Sequence, residues 1–142
     1  MGEGCSLQRG QRQIDISTEK DIVIARQAAR ALAQEMGFGL IDQSRVATAV
    51  SELARNVVRY ATDGRGRVYI RELARDGREG LEVVVQDEGP GMENPEAALE
   101  AGFTTGRGMG LGLSGTRRLM DEMQLDSRVG KGTTVTIRKW KR

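Results

Sequence analysis

Two glycine-rich stretches constrain this 142-residue chain more than any other feature of its sequence. In the first, an apolar strand pattern ends at Asp87, and a turn follows at once in the sequence Asp-Glu-Gly-Pro-Gly-Met (87–92). In the second, glycines occupy every other position of 106–112, and a helical pattern begins at Leu113. A carboxylate can bind the amino group of a nucleotide base, and glycines beside it let the base approach the backbone closely. Free backbone amides at the start of a helix can bind the phosphates. The two stretches therefore predict a nucleotide site between a sheet and a helix.

The composition excludes several classes of function. The chain has no histidine and a single cysteine, Cys5, which excludes histidine chemistry, a disulfide framework and a multi-cysteine zinc site. The formal net charge of +2 is too small to favour nucleic acid as a partner. No long apolar run and no signal peptide are recognisable. We therefore expect a cytoplasmic protein with no membrane partner.

Three long helices are predicted from apolar residues at helical spacing. The first is capped by Ser17 or Thr18 and is stopped by Gly37 and Gly39. Asp42 is the expected cap of the second, and the third is expected over 113–123. A short helix is also predicted over 95–101, with Asn94 as its cap.

Strand patterns lie between these helices. They are predicted over 13–17, 68–74, 81–86, 125–129 and 133–139, with hairpin turns at 76–78 and 130–132. The alternation predicts a two-layer α/β sandwich whose mixed, mostly antiparallel sheet carries its helices on one face. Residues 13–142 form a single domain in this interpretation, and residues 1–12 are expected to be disordered. The edge strand with Ile14 and Ile16 could pair with a second copy, so a homodimer is possible.

Glu52 and Asn56 lie four residues apart on the second helix and therefore share one face. They flank the buried stripe of that helix, so both can point into a cleft between helix and sheet. An amide oxygen suits Mg²⁺, and a carboxylate could accept the proton of an attacking hydroxyl. A solvated polar pair is the alternative explanation of the same two residues.

Asp87 also has two interpretations. An aspartate before a Gly-Pro-Gly turn commonly bonds to its own turn backbone. Alternatively, its carboxylate accepts a hydrogen bond from an exocyclic amine, with Gly89 and Gly91 leaving room for a flat ring. That arrangement would favour adenine over guanine.

The second glycine cluster is not a dinucleotide fingerprint, although 110–115 satisfy G-x-G-x-x-G. That fingerprint needs a strand directly before it, and the preceding residues are polar and broken by glycine. No G-x-x-x-x-G-K-[ST] sequence occurs, which excludes a P-loop. The remaining interpretation of this segment is a mobile loop that leads to a helix N-terminus. Arg107 in this loop could contact the terminal phosphate.

Four short motifs in this order resemble the GHKL ATPase/kinase superfamily. They are Glu52-x-x-x-Asn56, Asp87-x-Gly89-x-Gly91, the alternating glycines of 106–112 with Leu113, and Gly132-Thr133. The resemblance covers about residues 13–140 and implies the Bergerat form of the α/β sandwich.

The resemblance also implies a role for each motif. Asn56 would be the Mg²⁺ ligand and Glu52 the general base, while Asp87 would recognise adenine with support from Thr133. Residues 106–113 would form a lid over ATP. The implied nucleotide-binding residues are Asn56, Asp87, Gly89, Gly91, Met92, Thr104, Thr105, Gly106, Arg107, Gly108, Met109, Gly110, Leu111, Gly112, Leu113 and Thr133.

The small one-domain members of the superfamily are serine/threonine kinases that act on STAS-domain proteins. Arg55 and Arg59 beside the first motif favour the stressosome switch kinases, which phosphorylate STAS-domain scaffold proteins and then activate a PP2C-type phosphatase. An anti-sigma factor that also phosphorylates its antagonist is the first alternative. A simple ATPase or nucleotide-binding module is the second.

Overall fold

The computed structural model describes residues 11–91 and 113–142, so the predicted helix over 95–101 and its cap Asn94 lie outside the described residues. Three helices are described: α1 (Glu19–Glu35), α2 (Leu40–Tyr60) and α3 (Leu113–Leu119). The strands are β1 (Arg12–Ile16), β2 (Gly66–Arg75), β3 (Arg78–Asp87), β4 (Glu122–Arg128) and β5 (Gly132–Trp140).

The strands form one sheet in the order β1-β2-β3-β5-β4. Every pairing among the described strands is antiparallel, so the sheet is antiparallel here rather than mixed. β3 and β4 do run parallel to each other, but β5 lies between them and pairs with both. The predicted α/β sandwich is confirmed.

One face of the sheet packs against the helices and forms the core. Side chains alternate between the two faces of a strand, so the residues in register on this face come from every other position. The buried members are Ile16, Val68, Ile70, Leu81, Val83, Val85, Val135 and Ile137. The predicted helix stripes bury against them: Ile22, Ala25, Ala29, Leu32 and Ala33 from α1, and Val46, Val50, Leu53 and Val57 from α2.

The helix caps confirm one prediction and correct another. Thr18 caps α1, and its hydroxyl and the Asp21 carboxylate form a reciprocal capping box. α2 begins at Leu40 after Gly39, so the prediction that Asp42 caps this helix is wrong. Asp42 lies in the first turn, where its carboxylate is 3.7 Å from the Lys139 ammonium of β5. The same carboxylate accepts a hydrogen bond from Arg45 at 3.1 Å, so side-chain ion pairs use the group that the sequence assigned to a cap.

The third helix is shorter than predicted, because it ends at Leu119 and not at Met123. Lys139 donates its Nζ hydrogen to the Leu119 carbonyl at 2.8 Å, at the end of the helix. Glu122 already belongs to β4, and its carboxylate accepts from the ring N–H of Trp140 at 2.7 Å. Contacts with β5 thus draw helix-compatible residues into a strand, and local periodicity does not contain those contacts.

Both predicted hairpins are present, with longer strands than expected. Asp76 and Gly77 connect β2 to β3 with φ of +53° and +81°, the conformation of a two-residue hairpin turn. The β4–β5 hairpin turns around Gly130, whose φ is +80°.

Candidate functional site

The candidate site is a cleft between the second half of α2 and the end of β3. It is open to solvent. The described residues that line it are Leu53, Asn56, Val57, Tyr60, Val85, Asp87, Pro90, Gly91, Leu113, Thr133 and Val135. Asn56, Asp87, Gly91, Leu113 and Thr133, which come from four separate sequence motifs, therefore meet in one place.

Asp87 lies on the floor of the cleft, directly opposite Thr133 in the β3–β5 register. Its Oδ1 accepts a hydrogen bond from the backbone N–H of Gly89 at 2.7 Å. Burial raises the pKa of the Asp87 carboxyl above its ordinary value, and the backbone N–H groups of Gly89 and Thr133 oppose that rise. The Asx-type turn bond leaves further acceptor positions free on this half-buried carboxylate, because a carboxylate has about four of them.

The glycines around Asp87 allow close approaches of the backbone. Gly91 has a φ of +76°, and a Cβ there would overlap the carbonyl of Arg128 in β4. Gly132 has a φ of +84°, and a Cβ there would overlap the carbonyl of Asp87. The N–H of Gly130 donates to the Pro90 carbonyl at 2.8 Å. The β4–β5 hairpin thus holds the 88–91 turn in place beneath the cleft.

Ser127 was missed by the sequence analysis. Its hydroxyl lies 2.8 Å from that of Thr133 and 3.2 Å from the Gly132 carbonyl, and only 8% of the residue is exposed. The two residues are opposite each other in the β4–β5 register. The turn predicted at 130–132 would instead have placed Val129 opposite Thr133, so the sequence did not indicate this contact.

Glu52 lies one helical turn before Asn56 and does not line the cleft itself. Its side chain is 39% exposed, and Oε2 accepts from the Arg55 guanidinium at 2.9 Å. The Glu52 carboxylate is therefore partly open to solvent, one helical turn from a residue that lines the cleft.

A magnesium ion fits the donor set of the cleft. No group of three or more acidic, cysteine or histidine side chains that could hold a metal exists within residues 11–91 and 113–142. Mg²⁺ in phosphoryl-transfer sites commonly needs only one or two protein oxygens, because waters and substrate phosphates supply the rest. The Asn56 amide oxygen, at the lining of the cleft, is an oxygen donor of the kind that Mg²⁺ binds.

The remaining predicted site residues cannot be placed. Met92, Thr104, Thr105, Gly106, Arg107, Gly108, Met109, Gly110, Leu111 and Gly112 lie outside the described residues. Leu113 is described, and it begins α3 with its side chain buried at the cleft. Within the described part of the chain, no helix is long and apolar enough to cross a membrane.

Comparisons with known proteins agree with this geometry. Residues 17–139 match the family of histidine kinase-like ATPase domains. The serine/threonine-protein kinase RsbT of Bacillus subtilis (strain 168) is 47% identical over 129 residues, which cover 91% of this chain and 96% of that protein. The anti-sigma F factor of Caldanaerobacter subterraneus subsp. tengcongensis is 31% identical over 129 residues, covering 88% of this chain and 89% of that protein.

A solved structure supports the fold. The chain with the RsbU and RsbW domains of Rv1364c from Mycobacterium tuberculosis superposes with a TM-score of 0.62 at 24% identity, covering 92% of this chain and 33% of that longer one. The GHKL membership predicted from the motifs is confirmed. The chain belongs to the histidine kinase-like ATPase family and, within it, to the serine/threonine-protein kinases related to RsbT.

Proposed function

We propose that this protein transfers the γ-phosphate of ATP to a serine or threonine of a STAS-domain partner in a stress-response pathway. The observation that carries the proposal is the cleft, which an amide side chain of α2 and a half-buried carboxylate at the end of β3 line together. The high identity to a named serine/threonine-protein kinase supports the reaction class.

In this proposal the base of ATP lies against Asp87 and Thr133, and the phosphates extend along α2 past Asn56. Mg²⁺, bound through Asn56, would neutralise charge on the phosphates. Glu52 accepts the proton of the attacking hydroxyl, so its carboxylate must reach a protein substrate from the solvent side of the cleft. The half-exposed position of Glu52 meets that requirement. The loose transition state of phosphoryl transfer asks mainly for positioning and charge neutralisation.

The proposed partners are those that the resemblance to the stressosome switch kinases implies. STAS-domain scaffold proteins would be the substrates, and release from them would free the kinase to activate a PP2C-type phosphatase in the cytoplasm. An anti-sigma factor is the second candidate, favoured by the 31% identity to an anti-sigma F factor. Pull-downs against a STAS protein and against a sigma factor distinguish the two, because only an anti-sigma factor retains the sigma factor.

The assay of the proposed reaction follows labelled phosphate from [γ-³²P]ATP to a STAS protein. We expect Glu52→Ala to bind ATP as the wild type does and to lose transfer by about 10²–10⁴-fold, the usual contribution of a general base. Glu35→Ala is the matched control, since Glu35 on α1 is another exposed glutamate, and it pairs with Arg12 of β1. Persistent transfer by Glu52→Ala would remove Glu52 as the base, and absence of transfer by the wild type would refute the proposed function.

A further inference from the structure

The side of α2 that points away from the sheet carries a continuous row of side chains, here called the outward stripe. Residues three or four apart on a helix are neighbours on its surface, and the outward stripe advances by such steps. Its members are Ile41, Arg45, Thr48, Glu52, Arg55 and Arg59, and none of them is among the buried residues of α2. The stripe is about 27 Å long, at about 1.5 Å per residue. That length is close to the width of the roughly 800 Å² that each partner contributes to a standard protein interface.

The outward stripe is positively charged. It contains three guanidinium groups, those of Arg45, Arg55 and Arg59, and the single carboxylate of Glu52. Arg55 donates to Glu52 at 2.9 Å, so these two charges offset each other. Arg45 pairs with Asp42 at 3.1 Å, but the side chain of Arg45 is 46% exposed and that of Asp42 only 14%. The guanidinium groups of Arg45 and of the exposed Arg59 therefore set the sign of the charge that a partner meets.

Glu52 lies at the centre of this charge distribution. Arg45 and Arg59 are seven residues before and after it, which places them about 10 Å away along the helix axis on either side. A protein substrate has to bring its hydroxyl within hydrogen-bond reach of the proposed base. A folded protein that does so also covers the neighbouring turns of α2, because a standard interface is wider than this spacing. The substrate therefore meets one arginine on each side of its acceptor residue.

We propose that the outward stripe of α2 is the docking surface for the protein substrate, and that the substrate surface around the acceptor serine or threonine is acidic. The proposal rests on the proposed kinase function and adds where the substrate binds and by what chemistry. Arg45 and Arg59 bind carboxylates on either side of the acceptor. Ile41, which is 69% exposed at one end of the stripe, packs against an apolar side chain of the partner. The net charge of +2 is too small to favour a nucleic acid as the occupant.

The test measures KM and kcat for a STAS protein as the phosphate acceptor, with labelled ATP at saturation. Arg59→Glu should raise the KM for the STAS protein by about 2- to 30-fold, because one exposed charge pair is lost and a repulsive pair replaces it. This increase should shrink at high salt, which screens exposed charges. The ATP affinity, measured by calorimetry, should equal that of the wild type.

Arg67→Glu is the matched control, because it reverses an exposed arginine on the other side of the sheet. Arg67 precedes the core residue Val68 in β2, so its side chain points to the face opposite the helices. Its KM for the STAS protein should equal that of the wild type. Ile41→Ser separates the apolar contribution, since it should raise the KM by an amount that high salt does not reduce.

A second basic position keeps the test independent of one variant. Arg45→Gln removes the charge on the other side of Glu52 and should raise the KM by about 1.5- to 5-fold, so it replaces Arg59→Glu if that variant does not fold. A wild-type KM in both variants would overturn the docking surface and leave the kinase reaction intact. Loss of a wild-type dimer in Arg59→Glu, seen by light scattering with an unchanged KM, would identify a contact between copies and overturn it too. Absence of transfer by the wild type would instead refute the proposed function, and this inference with it.

Discussion

Replacing Asp87 by asparagine should weaken ATP binding even though asparagine keeps an acceptor oxygen. The backbone N–H of Gly89 donates to the Asp87 carboxylate at 2.7 Å, and the N–H of Thr133 also bonds to it. In Asp87→Asn the amide oxygen is held by these donors, which turns the NH₂ group toward the cleft. The base would then meet a donor where the wild type offers an acceptor.

The magnitude follows from the bond that is lost. A hydrogen bond to a charged group contributes about 1.5–3 kcal/mol, which corresponds to a loss of about 10- to 150-fold in affinity. The fold itself should not suffer. Burial raises the pKa of Asp87, so the ionised carboxylate costs stability above that pKa, and the neutral amide removes this cost. We expect a free energy of unfolding equal to or above that of the wild type at neutral pH.

Calorimetric titration with ATP measures the loss, and thermal unfolding of the free protein checks the fold. Glu88→Gln makes the same carboxylate-to-amide change one residue later, at an exposed side chain, and should leave the affinity unchanged. Wild-type affinity in Asp87→Asn would refute the adenine contact.

The pH dependence of binding provides a second check on the same carboxylate. Its pKa is raised above 3.8 in the folded protein, so acidification from neutral pH protonates Asp87 before an ordinary aspartate. Protonation removes an acceptor, and the ATP affinity of the wild type should fall as the pH drops through that pKa. The Asp87→Asn variant should lack this component, whereas an identical pH profile in both proteins would contradict the assignment.

Two further predictions concern the metal ligand and the outer face of the sheet. Asn56→Leu should lower the ATP affinity in the presence of Mg²⁺ and leave it unchanged in EDTA, which calorimetry under both conditions would measure; equal losses would exclude Asn56 as a ligand. The side chain of Glu82 is 6% exposed. Burial raises the pKa of its carboxyl, but the guanidinium groups of Arg71 and Arg138 outweigh that effect and lower the pKa below 4.5. Above pH 4.5 the wild type should therefore have a free energy of unfolding about 1.5–3 kcal/mol higher than that of Glu82→Gln. This difference should disappear as the pH falls through the lowered pKa of Glu82. Urea unfolding at several pH values measures it, and a difference that does not change with pH would contradict the pairing.

The sequence predicted the elements whose pattern is local and misplaced those set by tertiary contacts. The stripes of α1 and α2 and the Asp76-Gly77 hairpin follow from side-chain periodicity and turn chemistry. The end of α3 does not, since Lys139 and Trp140 of a later strand determine where the chain leaves the helix. Asp42 was also misassigned, because its carboxylate pairs with Arg45 in the next turn of the helix and with Lys139, which is 97 residues away in the sequence.

The candidate site shows the same division between local motifs and tertiary contacts. Sequence motifs identified Asn56, Asp87 and Thr133, which the fold brings to one cleft. The bond from the Gly89 N–H to the Asp87 carboxylate is local, and the sequence offered such a turn bond as one of two interpretations. The sequence did not indicate that the hydroxyls of Ser127 and Thr133 lie 2.8 Å apart. That contact depends on the register of β4 against β5, which no single motif contains. Residue types at the cleft could therefore be predicted from motifs, but the contacts between strands could not, because strand register sets them.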